Sequence, residues 1–178
     1  PKFAGQISGL ELVMTTSHKP TGIASYRPDL AGNTHAVSSG HHLATAAGFR
    51  ILEQGGNAID AGVATGIAIN VVVADNTSFG GVAPIVIYDA EVDRVFTLSG
   101  LGRWPKAATL EHFLEDRGGD IPTGMERVIV PAAPDAWLTA LSDHGTMTLK
   151  QVITPALELA RDGFPVSRGV GRRIAAAF

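Results

Sequence analysis

The sequence predicts an α+β domain, and three observations carry that prediction. Two stretches of helical periodicity come before one pair of β-branched and aromatic runs, and further helical stretches follow it. Strand and helix do not alternate strictly, which disfavours a doubly wound parallel sheet. Hydrophobic residues make up 45% and charged residues 17% of the 178 positions, enough to bury a core in a single domain or a large part of one. The expected organisation is an extended N-terminal arm over residues 1–34, rich in Gly, Ser, Thr and Pro, followed by the packed region 35–178. No internal repeat and no linker between two domains is found.

The short apolar pair in "THAVSSG" reads as a first strand ending at Gly40. From His41 to Gln54, Ala44, Ala47, Gly48, Ile51 and Leu52 recur at three- and four-residue spacings, which places them on one helical face. Small residues dominate that face, so its neighbour must come close. Gly55 and Gly56 stop the helix, because glycine accepts the left-handed conformation of a C-terminal cap. Asn57 is a good N-cap for the next helix, with Asp60 at its third position. That second helix, about Ala58 to Val73, is apolar nearly all round and is expected to be buried on most sides.

After "ADNTSFGG", the runs "PIVIY" and "RVFTL" flank the polar "DAEVD" and predict a β-hairpin. A loop with Pro105 leads to an expected helix from about Ala108 to Arg117. "GGDIPTG" reads as a loop and "ERVIVP" as a short strand. "PDAWLTALSDHG" predicts a helix with Pro134 in its first turn and Gly145 past its end. Thr148 to Gln151 form a capping box. Thr154 as N-cap with Pro155 after it predicts a fresh start, splitting 148–162 into two helical pieces that stop at Gly163.

Several function classes are disfavoured. The net charge of −3 gives no reason to expect nucleic acid or an anionic membrane surface. Arg168, Arg172 and Arg173 read as a solvated helix face. No cysteine is present, so thiolate catalysis, disulfides and Cys-ligated metals are excluded. No apolar run approaches the roughly 20 residues of a membrane span. The chain begins at Pro1 with neither methionine nor signal peptide, which leaves open a cytoplasmic location or a periplasmic or secreted one with a leader removed.

Candidate chemistry is sparse. His35, His41 and His42 lie close together but match no ligand spacing, and no metal or other cofactor is expected. There is no Gly-x-Ser-x-Gly elbow for a serine hydrolase. "SGLGRWP" lacks the ending of a phosphate loop, and "GGNAID" joins helix to helix, unlike a dinucleotide fingerprint. Asp89, Glu91 and Asp93 read as turn charges. The residues thus predict a packed domain without a self-sufficient active site, which directs attention to a partner chain.

One series of motifs says more. "HAVSSGHHLATAAGFRILEQGGNAIDAGVATGIAINVV" resembles the N-terminal part of the γ-glutamyltransferase (γ-glutamyltranspeptidase) family. The likeness continues through "FGG" (Phe79 to Gly81), the hairpin, "GRWPKAAT" (Gly102 to Thr109), "VPAAPDAW" (Val130 to Trp137) and "LARDGFPVS" (Leu159 to Ser167), in order and with similar spacing over roughly residues 35 to 170. The resemblance implies the four-layer αββα sandwich of N-terminal-nucleophile hydrolases, of which this chain would be the N-terminal part of the large subunit. It implies a zymogen that cleaves itself into two subunits, the small one starting with a threonine. That threonine's hydroxyl attacks the substrate amide, its free amine acts as base, and an acyl-enzyme is resolved by water or an acceptor amine. Two glycine amides of the small subunit hold the oxyanion.

On this reading no catalytic residue lies in this chain, and Phe178 is expected to mark a fragment or an observed portion. "TTSH" (Thr15 to His18) precedes the first expected strand and is not taken as the nucleophile. The implied partners are that small subunit and a small-molecule amide substrate, in a heterodimer or a pair of heterodimers. Members with γ-glutamyl specificity carry an arginine that grips the substrate α-carboxylate, and Leu101 stands at its place. Arg103 follows two positions on, as in relatives with a Gly-x-Gly-Arg-x-Pro loop, some of which take oxamate-type or acylated β-lactam-type substrates. The glycine run after the second helix is reduced to "GGVAP". Arg103 is therefore the expected substrate-binding residue, its guanidinium fork suited to a carboxylate next to the scissile amide. The alternative is a non-catalytic homologue acting as a binding or assembly module.

Overall fold

Two helices joined by a short glycine hinge set the axis around which the rest packs. The structure, a computed structural model, describes residues 31–177. Most of the expected arm (residues 1–30) and the Thr15 to His18 segment lie outside the described residues. From Thr34 onward the described residues form one unit.

Helix α1 (His42–Glu53) is capped by His41, whose Nδ1 accepts the Leu43 amide at 3.2 Å. It buries Ala44, Ala47, Gly48 and Ile51 against α2 (Ala58–Val72). A Cβ on Gly48 would come within 2.0 Å of the Thr65 hydroxyl oxygen, so the two helices meet at a separation only a glycine permits. Gly55 adopts φ +90° and its amide, like that of Gly56, bonds back to the last turn of α1. Gly56 departs from the sequence expectation, since its φ is not positive. It is glycine for want of room: a Cβ there would sit 2.7 Å from Ile51 Cγ2.

Asn57 and Asp60 form a reciprocal capping box at the start of α2. Its apolar residues Ala61, Val63, Ala64, Ile67, Ala68 and Val72 are all buried. Thr77 closes the helix end, its hydroxyl donating to the carbonyls of Ile69 and Val73. Strands β1 (Ile85–Asp89) and β2 (Arg94–Leu98) form the predicted antiparallel hairpin, with Ile87 opposite Phe96. Ile85, Ile87, Phe96 and Leu98 turn toward the core, whereas Val86, Tyr88 and Val95 on the other face are exposed. The pleat, with its two-residue period, dictates that division.

Helix α3 (Ala133–His144) starts with Pro134 in its first turn and buries Ala136, Trp137, Ala140 and Leu141. Helix α4 (Leu149–Asp162) begins at the Thr148–Gln151 capping box and ends at Gly163, φ +84°. The α5 helix (Arg168–Ala177) carries the three arginines on an exposed surface, with Arg173 paired to Asp75.

Besides Gly56, four expectations need correction. Helix α4 is one continuous helix with Pro155 inside it, not two pieces. Proline removes one backbone donor, but Val152, Pro155 and Ala156 form a single buried face, and that burial outweighs the missing bond. Residues 35–40 form no strand among the described residues, because a strand needs a neighbour to complete its ladder and none is present there. The expected helix at 108–117 is present but shorter, over residues 110–116, and widens into a π-helical turn across His112–Asp116, with the Gly119 amide bonding to the Phe113 carbonyl at 2.7 Å. The expected strand "ERVIVP" is a tight turn (Met125–Arg127) followed by a single bridge from Val130.

Candidate functional site

Arg103 sits on a loop that leaves β2 and is fixed at three points. At its start, the Ala83 amide donates to the Gly100 carbonyl at 2.8 Å, so the hairpin ladder is continued by one rung. At its centre, the Val130 amide donates to the Arg103 carbonyl at 2.8 Å. Gly102 makes this bridge possible: φ is +82°, and a Cβ would come within 2.1 Å of the Val130 carbonyl oxygen. At its end, the Trp104 indole meets the buried Phe113 ring edge to face, centroids 5.2 Å apart. The backbone around Arg103 is thus held while its side chain is exposed, and among the described residues the guanidinium has no hydrogen-bond or ion-pair partner. Leu101 is also exposed on the same loop.

Beyond Trp104 lies a charged cluster that sequence reasoning misses. His112 directs Nδ1 to Asp116 Oδ2 at 2.9 Å and Nε2 to Glu126 Oε1 at 3.2 Å. Arg117 donates to both oxygens of Glu126, Nε to Oε2 at 3.0 Å and Nη2 to Oε1 at 2.6 Å. Hydrogen bonds from Arg117 and then His112 pull the Glu126 carboxyl down to about 2. The bonds His112 makes to the Asp116 and Glu126 carboxylates raise its own value above the usual one. The one sequence signal is the i, i+4 spacing of His112 and Asp116, which only pairs residues on a helical turn. Glu126 joins through tertiary structure.

The other histidines have separate local tasks. Burial, with His42 beside it, pushes His41 below its usual value, which favours the neutral ring that caps α1. His35 lies between the Thr34 hydroxyl and the Glu53 carboxylate, 3.1 Å from each. Among the described residues no three His, Asp or Glu side chains converge as a metal site, and no helix is long and apolar enough to cross a membrane. Asp89, Glu91 and Asp93 lie at the hairpin turn, where Tyr88 donates to Asp93 at 2.9 Å.

Asp60 is the one buried charged side chain of the described core. It accepts the Asn57 amide at 2.8 Å, the Thr146 amide at 3.0 Å and the Met147 amide at 3.1 Å, besides the Thr146 hydroxyl at 2.7 Å. Burial acts to raise its carboxyl, but the hydrogen bonds from Thr146, Asn57 and Met147 outweigh it and hold the group below its ordinary value. Asn57 adds a bond from its side-chain amide to the His144 carbonyl at 2.7 Å. The hinge motif is therefore a clamp on the α3–α4 connection.

Comparison with known proteins places this architecture. The Gamma-glutamyltranspeptidase family matches residues 44–178. The Glutathione hydrolase proenzyme of Bacillus subtilis (strain 168) is 35% identical over 153 residues, covering 83% of this chain and 26% of its own length. The Acylase ACY 1 proenzyme of Pseudomonas sp. (strain SE83) is 36% identical over 149 residues, covering 77% of this chain and 26% of its own length. The crystal structure of Helicobacter pylori gamma-glutamyltranspeptidase superposes with a TM-score of 0.74 at 32% identity, over 84% of this chain and 44% of that one. The chain spans about a quarter of the length of the curated relatives it matches. Its α+β fold is part of the N-terminal-nucleophile hydrolase architecture of those structures, and the chain belongs to the γ-glutamyltranspeptidase family.

Proposed function

We propose that this chain is the N-terminal part of the large subunit of an amidohydrolase or acyltransferase of this family, cut from a precursor that also supplies the small subunit. The observation that carries the reading is the family match from residue 44 to the end of the chain, together with the shared fold. In this scheme the small subunit's N-terminal threonine attacks the amide carbonyl and the amine leaves with a proton. The acyl group remains as an ester until water or an acceptor amine takes it. This chain contributes a wall of the substrate pocket.

Arg103 is proposed to bind a carboxylate adjacent to the scissile amide. A planar guanidinium on a backbone fixed at both sides suits bidentate recognition of that group, with little ordering cost on binding. Leu101, where a glutamate-gripping arginine would stand, argues for a substrate other than a γ-glutamyl amide. A relative named as an acylase, 36% identical, supports a substrate range of that breadth. Two measurements test this. Intact-mass analysis of the native protein is expected to show a second polypeptide starting with threonine, and a single uncut chain would overturn the proposal. Rates on a panel of γ-glutamyl anilide, oxamate-type and acylated β-lactam amides then identify the substrate class, and rapid turnover of the first would overturn the specificity argument.

Leu101 also favours a second reading, a family homologue without catalysis that serves binding or assembly. It requires that the coding sequence downstream lack the threonine nucleophile, which sequencing of that segment decides.

A further inference from the structure

The loop that carries Arg103 is held by two neighbours, and those neighbours are joined to each other. On one side Trp104 rests on Phe113, in the wide turn His112–Asp116. On the other side Arg103 is bridged to Val130, three residues beyond the tight turn Met125–Arg127. The His112–Glu126 contact connects one turn to the other. The contacts close a ring: Arg103 to Val130, back along the chain to Glu126, across to His112, next to Phe113, and through Trp104 to Arg103 again. Among these contacts His112–Glu126 is the link whose strength depends on a proton.

The chemistry of that link is set by what faces the imidazole. Both ring nitrogens point at carboxylates, Nδ1 at Asp116 and Nε2 at Glu126. A carboxylate only accepts, so both contacts are hydrogen bonds only when both nitrogens carry protons. A neutral ring donates to one and turns a lone pair toward the other. The remaining charged group at the cluster, Arg117, lies on the Glu126 side and keeps that carboxylate ionised. Arg117 also attracts Asp116 through space but hydrogen-bonds only to Glu126, so for a neutral ring the two carboxylates remain competing acceptors.

We infer that His112 is a positioning residue for Arg103: its imidazolium ties the turn beneath Trp104 to the turn before Val130, and loss of the proton loosens the loop that presents the guanidinium. This rests on the proposal that Arg103 binds the substrate carboxylate. The expected direction follows from the charges. The imidazolium is favoured here, so the tie holds at and below the ordinary histidine range and is lost as pH rises through the elevated value of His112. Glu126 stays ionised down to about 2, so it does not set the upper limit.

The test uses the full-length mature protein with labelled histidine and tryptophan. His112 and Trp104 signals are assigned by His112→Gln and Trp104→Phe. The Trp104 indole cross-peak is expected to move with pH at the midpoint of the His112 ring, and to lose that movement in His112→Gln and in Glu126→Gln. KM for the preferred carboxylate substrate is expected to rise about fivefold across the same transition while kcat holds, with a flat KM profile in His112→Gln. A Trp104 signal indifferent to His112 titration, or an unchanged KM profile in His112→Gln, overturns the inference. The tie and the carboxylate role fail separately. If Arg103→Ala leaves the kinetics untouched while Trp104 still follows His112, the tie stands and the carboxylate role of Arg103 falls.

Discussion

The Thr146 hydroxyl donates to Asp60 Oδ2 at 2.7 Å, joining the first turn of α2 to the α3–α4 connection across 86 positions of sequence. The same carboxylate takes the amides of Asn57, Thr146 and Met147, which leaves little of its hydrogen-bonding capacity unused. Asp60→Asn retains the size but replaces an acceptor oxygen with a donor facing amide N–H groups. A loss of about 3 kcal/mol in unfolding free energy is expected from urea titration, and about 1 kcal/mol for Thr146→Val. Because folding lowers the Asp60 value, its contribution is present above the unfolded carboxylate's 3.8 and fades as pH falls through the folded value. A wild-type and Asp60→Asn difference unchanged between neutral and strongly acid pH would refute that assignment.

The hinge glycines are expected to fail in different ways. Gly55 has open space and a positive φ, so Gly55→Ala meets backbone strain of about 1–2 kcal/mol. At Gly56 the conformation is ordinary and the obstacle is Ile51, which would stand 2.7 Å from the methyl carbon of an alanine. Thermal unfolding of double mutants distinguishes them. Gly56→Ala and Ile51→Ala are expected to be less than additive, whereas Gly55→Ala and Ile51→Ala add.

For Arg103, removal of the guanidinium in Arg103→Ala is expected to lower kcat/KM by about 1.5–3 kcal/mol, roughly ten- to hundredfold. Gly102→Ala leaves the guanidinium in place but drives a methyl into the Val130 carbonyl, so it is expected to break the bridge and reach a similar loss. Steady-state kinetics on both variants check this. Wild-type kinetics in Gly102→Ala would show that the bridge does not position Arg103.

Pro155 offers a stabilising change. Alanine would restore the helical donor that proline lacks, a gain of up to about 3 kcal/mol, and would give up two ring methylenes at about 0.8 kcal/mol each. A net gain of about 1 kcal/mol is expected in urea unfolding of Pro155→Ala. A net loss would mean that the buried ring packs better than its size suggests.

Much of the fold was legible because capping is local chemistry. Asn57–Asp60, Thr148–Gln151 and Gly163 each announce a helix boundary through residues within one turn of it, and all three stand where the sequence placed them. The hairpin was equally plain, since its two runs pair with each other. Pro155 misled for the same reason that the caps informed: its rule is local, and the burial of Val152 and Ala156 that overrides it comes from packing against other helices. Residues 35–40 and "ERVIVP" read as strands by composition, yet strand formation is decided by a partner that composition does not name. For the candidate site, the sequence offered Arg103 as an expectation and gave no sign of Val130, Phe113 or Glu126 around it, because those contacts bridge separate turns with no shared periodicity.

The hairpin's outward face has a practical consequence for anyone handling this polypeptide. Val86, Tyr88 and Val95 present a flat, greasy strip on a ribbon of only two strands, each with an unpaired backbone edge among the described residues. Overproduced by itself, such material is expected to clump as concentration rises, visible as growing light scattering. Val86→Lys with Val95→Glu should keep it dispersed without disturbing the inward-facing Ile87 and Phe96. Equal scattering from the charged variant would trace the stickiness to some other surface.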